Sequence, residues 1–102
     1  MGVVVGEWDN SKAESNEKKH TVSFDEALEV FDDPFYLEHY DSANSTLHEE
    51  RYIVLGRVKR QIVVVVVYTP RGGKHRIISA RFALAHERRV YNDRIKHLSN
   101  HR

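Results

Sequence analysis

The stretch Gln61-Ile62-Val63-Val64-Val65-Val66-Val67-Tyr68-Thr69 decides the fold. Its side chains are mostly β-branched, and such side chains fit a pleated strand better than a helix. The run is far shorter than the roughly 20 apolar residues a membrane-spanning helix needs. Apolar residues stand at consecutive positions rather than alternate ones, which predicts a central strand covered on both faces. Downstream, Pro70-Arg71-Gly72-Gly73 reads as a turn leading into a strand from about Lys74 to Arg81. Upstream, Arg51 to Val58 reads as a strand in which Gly56 marks a bulge or a close backbone approach. Phe35 to Tyr40 alternates loosely, as an edge strand does, and Asp41 to Thr46 is a polar turn region.

Helical signals flank this sheet. Glu7-Trp8-Asp9 resembles the end of a short strand, and Asp9 or Ser11 can cap a polar helix from about Asn10 to Lys19. Ser23 and Glu26 form an S-x-x-E capping box, with Val22 and Ala27 placed as a hydrophobic staple. Phe24, Ala27, Leu28 and Phe31 make one buried helical stripe, and Asp33-Pro34 stops it. Ala83 to Leu98 puts Leu84, Val90, Tyr91, Ile95 and Leu98 on a further stripe. The expected class is α+β: two N-terminal helices, an antiparallel meander and a C-terminal helix, in one domain over residues 1–102. With no cysteine, neither disulfides nor thiolate metal sites enter the argument. The start, Met1 to Glu7, lacks the basic flank and long apolar stretch of a signal peptide, so a cytoplasmic, membrane-free protein is expected.

The net charge of +1 conceals a division. Residues 1–50 carry three lysines against thirteen acids, a net of −10. Residues 51–102 carry ten arginines and three lysines against Glu87 and Asp93, a net of +11. Such asymmetry points to a polyanion, an acidic partner or the protein's own acidic half. The preference for arginine suits phosphate and carboxylate alike, because both accept its planar fork.

Several chemistries find no support. His48-Glu49 and His86-Glu87 begin like H-E-x-x-H but lack the second histidine. His97 and His101 are four apart at the chain end, which does not make a metal site; no metal or other cofactor is expected. Gly72-Gly73-Lys74 lacks the phosphate-loop frame, and no G-x-S-x-G or Cys–His nucleophile is present. What remains could act on a phosphodiester without a metal, given a base for the 2′-hydroxyl, an acid for the leaving oxygen and cations for the crowded phosphate. The candidates are Lys19 and His20 at the end of the first helix, Glu50 and Arg51 before the second strand, Arg76 and Arg81 on the Lys74–Arg81 strand, and Glu87, Arg88 and Tyr91 on the last helix. For each, an ordinary ion pair or a core position is the competing reading.

The residues also carry a resemblance. Glu7-Trp8-Asp9, Lys12-Ala13, Asn16, Lys19-His20, Val22-Ser23-Phe24, Glu26-Ala27, Val30-Phe31, Asp33-Pro34, Glu50-Arg51 and Gly56 follow one another as in the BrnT family. The run Arg76-Ile77-Ile78-Ser79-Ala80-Arg81 followed by Glu87-Arg88 and Tyr91 resembles that family's C-terminal signature. Thr21 and Val58 depart from the pattern, standing where a glycine and a small polar residue are usual. The resemblance implies a RelE-like ribonuclease toxin that blocks translation. It further implies neutralisation by a BrnA-type ribbon-helix-helix antitoxin, with DNA reached only through that complex. On this reading Arg76 and Arg81 stabilise phosphate charge, His20, Lys19 or Glu50 transfer protons, and Glu87 supports them. Arg51, Arg88 and Tyr91 contact RNA. A non-catalytic module that tunes a co-encoded DNA-binding protein is the alternative.

Overall fold

A computed structural model of the chain describes residues 3–100, with side chains described as far as Leu98. The elements run β1 (Gly6–Glu7), α1 (Asn10–His20), α2 (Phe24–Ala27), a 3₁₀ turn (Leu28–Asp32), β2 (Leu37–Tyr40), β3 (Tyr52–Arg57), β4 (Val63–Arg71), β5 (Lys74–Phe82) and α3 (Ala85–Asn100). The sheet order is β1-β5-β4-β3-β2. The β2–β5 meander is antiparallel as expected, but β1 adds in parallel to β5, which makes the sheet mixed. His75 donates its backbone N–H to Val5 O at 2.9 Å, fixing that extra strand.

The valine run behaves as its pattern predicts. Val64, Val66 and Tyr68 join Val22, Phe24, Ala27 and Val30 beneath the N-terminal helical layer. Val63 and Val65 point the other way and pack with Ala83 and Tyr91. The strand is thus covered on both faces, but unequally. On the second face α3 contributes Tyr91 and Ile95, whereas Leu84, Val90 and Leu98 are exposed. The helical stripe expected from sequence was too wide, because α3 meets the sheet with one narrow edge rather than a full face.

Local chemistry sets the element ends. Asp9, not Ser11, caps α1, its Oδ1 accepting from Lys12 N at 3.1 Å. Ser23 Oγ accepts from Glu26 N at 3.0 Å, but Glu26 does not return the bond; its carboxylate holds Arg60 at 2.6 and 2.9 Å. The second helix keeps its α form only to Ala27 and tightens to 3₁₀ before Asp33-Pro34, a common way to end a helix. Thr21 closes α1 in the left-handed region at φ 57°, where a glycine would sit without strain. Gly56 is not a bulge but a close approach, since a methyl there would lie 3.0 Å from Val30 Cβ. The sheet's irregularity falls instead between Val67 and Tyr68, where β5 carries Ile78 as an extra residue.

Asn16 supplies an element that sequence patterning could not reveal. Beyond the two residues of β1, the edge of β5 continues against α1. There Asn16 Nδ2 donates to Ala80 O at 2.8 Å and to Val22 O at 3.2 Å. Its Oδ1 accepts from Ala80 N at 3.2 Å, so one amide stands in for a missing strand partner. Asn16→Ala would strand both backbone groups in a buried place. It is expected to lower unfolding free energy by about 2–4 kcal/mol in urea titration.

Candidate functional site

The bulge at Ile78 decides which arginines face the same way. Arg76 and Arg81 are five residues apart, and an unbroken strand would send them to opposite faces. With the extra residue, Ile77 and Ala80 both enter the core under the helices, while Arg76 pairs in register with Thr69 and Arg81 with Val65. Both guanidinium groups therefore stand on the half-covered α3 side of the sheet.

Each is held by a carboxylate. Arg81 makes a two-pronged pair with Glu87, Nη1 to Oε1 at 2.8 Å and Nη2 to Oε2 at 2.9 Å. Glu87 Oε1 also accepts from Leu84 N at 2.7 Å, so this one side chain caps α3 and orients Arg81. Arg81, and then its own backbone bond to Leu84, holds the Glu87 carboxyl down at about 2 against the opposing effect of burial. A carboxylate so acidic is a poor proton donor or acceptor near neutrality, and its bonds tie Arg81 to the start of α3. Arg76 Nη1 meets Glu7 Oε2 at 3.4 Å, a looser contact. Arg51, just before β3, pairs with Glu49 at 3.0 Å.

The remaining candidates divide. Lys19 and His20 line a cavity of about 240 Å³ together with Ile78 and Ser79, so they border the arginine-bearing strand between Arg76 and Arg81. Glu50 lies apart from them. It is exposed and accepts from Tyr52 Oη at 3.2 Å, in the aromatic row where Tyr52 stacks on Tyr68 and Tyr68 on His75. Arg88 donates to Ala83 O at 2.8 Å from the opposite flank of α3. Tyr91, expected at the RNA surface, is 1% exposed and donates to Asp33 Oδ2 at 2.5 Å. Its hydroxyl is pushed up to about 12, first by burial and then by Asp33, so it is a structural group. Sequence reading missed Asn16 and Asp33 as organisers because both are short polar residues whose partners lie far along the chain.

On the α3 side Leu37, Ile53, Leu55 and Val65 floor an open groove of about 340 Å³, walled by Glu87 and Val90. Among the described residues no three His, Asp or Glu side chains come together as a metal cluster, and no helix is long and apolar enough to cross a membrane. His101 lies outside the described residues.

The mixed sheet thus carries Arg76 and Arg81 on its half-covered side, and its bulge shares a cavity with Lys19 and His20. The fold is shared with the Brucella abortus ribonuclease toxin BrnT, known from a 1.1 Å crystal structure. The TM-score is 0.60 at 21% identity, over 79% of this chain and 95% of that one. A family model described as "Ribonuclease toxin, BrnT, of type II toxin-antitoxin system" matches residues 8–87, and the chain belongs to that family. No curated protein sequence matches it significantly.

The Arg81–Glu87 pair has a pH signature. Glu87 has a folded-state value near 2 against an ordinary 4.5, so its contribution is complete above about 4.5 and disappears as pH falls towards 2. Glu87→Gln is expected to cost about 1–3 kcal/mol at pH 7, with the gap to wild type closing between pH 4.5 and 2 in denaturant titrations.

Proposed function

We propose that the protein is an endoribonuclease toxin that cleaves RNA through its own 2′-hydroxyl, without a metal, and so inhibits translation. The observation that carries this reading is the bulge-directed placement of Arg76 and Arg81 on one open face, on a strand whose bulge shares a cavity with Lys19 and His20, in a chain of the BrnT family. A base removes the 2′-hydroxyl proton as the O2′–P bond forms. The P–O5′ bond breaks, and an acid protonates the leaving oxygen. The products are a 2′,3′-cyclic phosphate and a 5′-hydroxyl end. Arg81, oriented by Glu87, and Arg76 stabilise charge on the crowded phosphate. Lys19 and His20, which line a cavity against that strand, are the proton-transfer candidates, with Glu50, bonded to Tyr52, a further one. Arg51 and Arg88 extend the phosphate contacts, which supply salt-dependent affinity without sequence information.

Such an enzyme acts in the cytoplasm and must be masked by its antitoxin. We assign that role to a BrnA-type ribbon-helix-helix protein, an acidic segment of which covers the arginine face and through which the pair reaches operator DNA. One observation favours a second reading. Arg51, Arg76 and Arg81 all have carboxylate partners, as they would in a non-catalytic module that tunes a co-encoded DNA-binding protein.

The two readings separate in one assay. Purified wild type, free of antitoxin, should cut single-stranded RNA in the presence of EDTA and leave cyclic phosphate ends. Arg81→Ala and Arg76→Ala should slow cleavage by roughly 10²-fold or more, by analogy with loss of a charge-stabilising donor. Arg89→Ala, which removes an exposed cation on α3, should cut at the wild-type rate. Folded wild type that leaves RNA intact while shifting the operator affinity of its partner would establish the module instead.

A further inference from the structure

The proposed cleavage face leaves a polar cavity on the other flank of α3 without a role. Glu87 and Val90 look into the apolar groove on one flank of α3; Arg88 and Asn92, one turn apart, line a different cavity of about 420 Å³ on the other. Arg57, Gln61 and Phe82 complete its functional wall.

Two guanidinium groups meet there without an acid. Arg57 lies 5.4 Å over the Tyr91 ring, and its buried Nε–H has no acceptor among the described residues. Buried donors are nearly always satisfied in folded proteins, and an orphan on a cation marks a place made for an acceptor. Arg88 spends one N–H on Ala83 O and makes no ion pair among the described residues. No carboxylate lines this cavity. Glu29, Asp32 and Asp33 border Arg57 in a shallower cavity on its other side, none within ion-pair distance. Asp33 Oδ2 is committed to Arg57 N and the Tyr91 hydroxyl.

The rest of the wall suits a base. Phe82, the last residue of β5, lines the cavity and is 43% exposed, with the Arg60 guanidinium 5.5 Å over one face of its ring. Gln61 sits at φ 69°, in the turn closed by Gln61 N to Val58 O and Val58 N to Ile62 O, each 2.9 Å. Glycine or asparagine is the usual residue at such a left-handed hairpin position, so the turn alone does not account for glutamine. Its Nε2 donates to Lys59 O at 3.2 Å, which leaves the side-chain carbonyl to accept. The exposed Asn92 amide makes no hydrogen bond among the described residues.

We propose that this cavity is a nucleotide subsite for single-stranded RNA, in which Arg57 and Arg88 hold a phosphate, the Gln61 and Asn92 amides read the base's polar edge, and a base at the rim packs on the side of Phe82 that Arg60 leaves uncovered. Stacking on an aromatic ring with hydrogen bonds to a base edge is the usual chemistry of single-strand recognition, and guanidinium forks match phosphate oxygens. The subsite is continuous with the cleavage face. Arg81 donates to the carbonyl of Phe82 at 3.2 Å and Arg88 to that of Ala83 at 2.8 Å, so a strand crossing this short segment passes from one to the other. The choice of RNA as ligand rests on the proposed function; the cavity and its unpaired cations do not.

The test uses the full chain and a short 2′-O-methyl single-stranded oligonucleotide, which cannot be cleaved by its own hydroxyl. By fluorescence anisotropy at low salt, Arg88→Gln is expected to weaken binding roughly tenfold and flatten the plot of log K against log salt by about 0.7. Arg89→Gln, its exposed neighbour, should change affinity by less than about twofold. Gln61→Gly should weaken binding while raising Tm, a combination that a purely structural glutamine would not give. In ¹⁵N spectra the oligonucleotide should move the Arg57 Nε–H resonance, with no need for an Arg57 variant that disturbs Tyr91. The proposal is overturned if Arg88→Gln binds like Arg89→Gln and the Arg57 resonance stays still. It is also overturned if a glutamate-rich peptide moves that resonance and the oligonucleotide does not. Wild type that fails to cut RNA but binds the oligonucleotide through Arg57 and Arg88 would sink the nuclease reading and leave this subsite standing.

Discussion

The molecule turns on the carboxylate of Asp33. Its Oδ1 accepts from Phe35 N at 2.9 Å and so ends the N-terminal helical layer at the proline. Its Oδ2 accepts from Arg57 N at 2.8 Å, fixing the end of β3, and from the Tyr91 hydroxyl at 2.5 Å, fixing α3. Three segments with no sequence proximity are joined at one side chain. The consequence reaches the site, because the position of Tyr91 sets where Glu87 stands one turn earlier, and Glu87 orients Arg81. The Phe35 carbonyl adds a second tether to α3, taking Arg94 Nε at 3.2 Å.

The paired state of the arginines is compatible with phosphate handling on energetic grounds. Their partners are partly solvated, with Arg76 and Glu7 29% and 31% exposed and Arg81 and Glu87 38% and 20%. A single loose ion pair in such surroundings, as Arg76 makes, typically contributes about 0–1 kcal/mol, so exchanging its carboxylate for a phosphate oxygen costs little, whereas the two-pronged Arg81 pair holds more firmly. The two pairs are not equivalent. Arg76 is held by one loose contact and can swing towards a ligand. Arg81 is clamped by both prongs, with its carboxylate tied to the helix, which suits a group that must stay in place while charge develops.

The sequence was most legible where one residue type did one job. Five consecutive valines with a tyrosine predicted a doubly covered strand, and Val63 to Tyr68 became that strand. Ser23 and Asp9 predicted caps because capping is local, within three residues. The parallel β1 was less legible, since two residues carry no periodicity and their pairing depends on a partner about seventy positions away. Of the site, Arg76 and Arg81 were nameable from composition and resemblance, but their common face was not, because alternation taken literally separates them and only the bulge reunites them. Tyr91 was read two ways, as a core position on the helical stripe and, through the resemblance, as an RNA contact; its buried ring and its bond to Asp33 agree with the first.

The unequal halves of the chain can now be judged in space. Four ion pairs are found among the described residues, three of them between acids of residues 1–50 and arginines of the rest, so internal neutralisation accounts for only part of the basic half. The molecule measures 41 × 30 × 29 Å, several times the roughly 8 Å over which charge is felt at physiological ionic strength. An anion at the α3 side therefore meets the local arginines and is nearly blind to acids on the far layer. Glu7 and Glu87 are the exceptions, because they stand on that side and pair with Arg76 and Arg81. Whatever anion approaches the α3 side, carboxylate or phosphate, therefore meets the same few guanidinium groups, and two such anions cannot hold them at once.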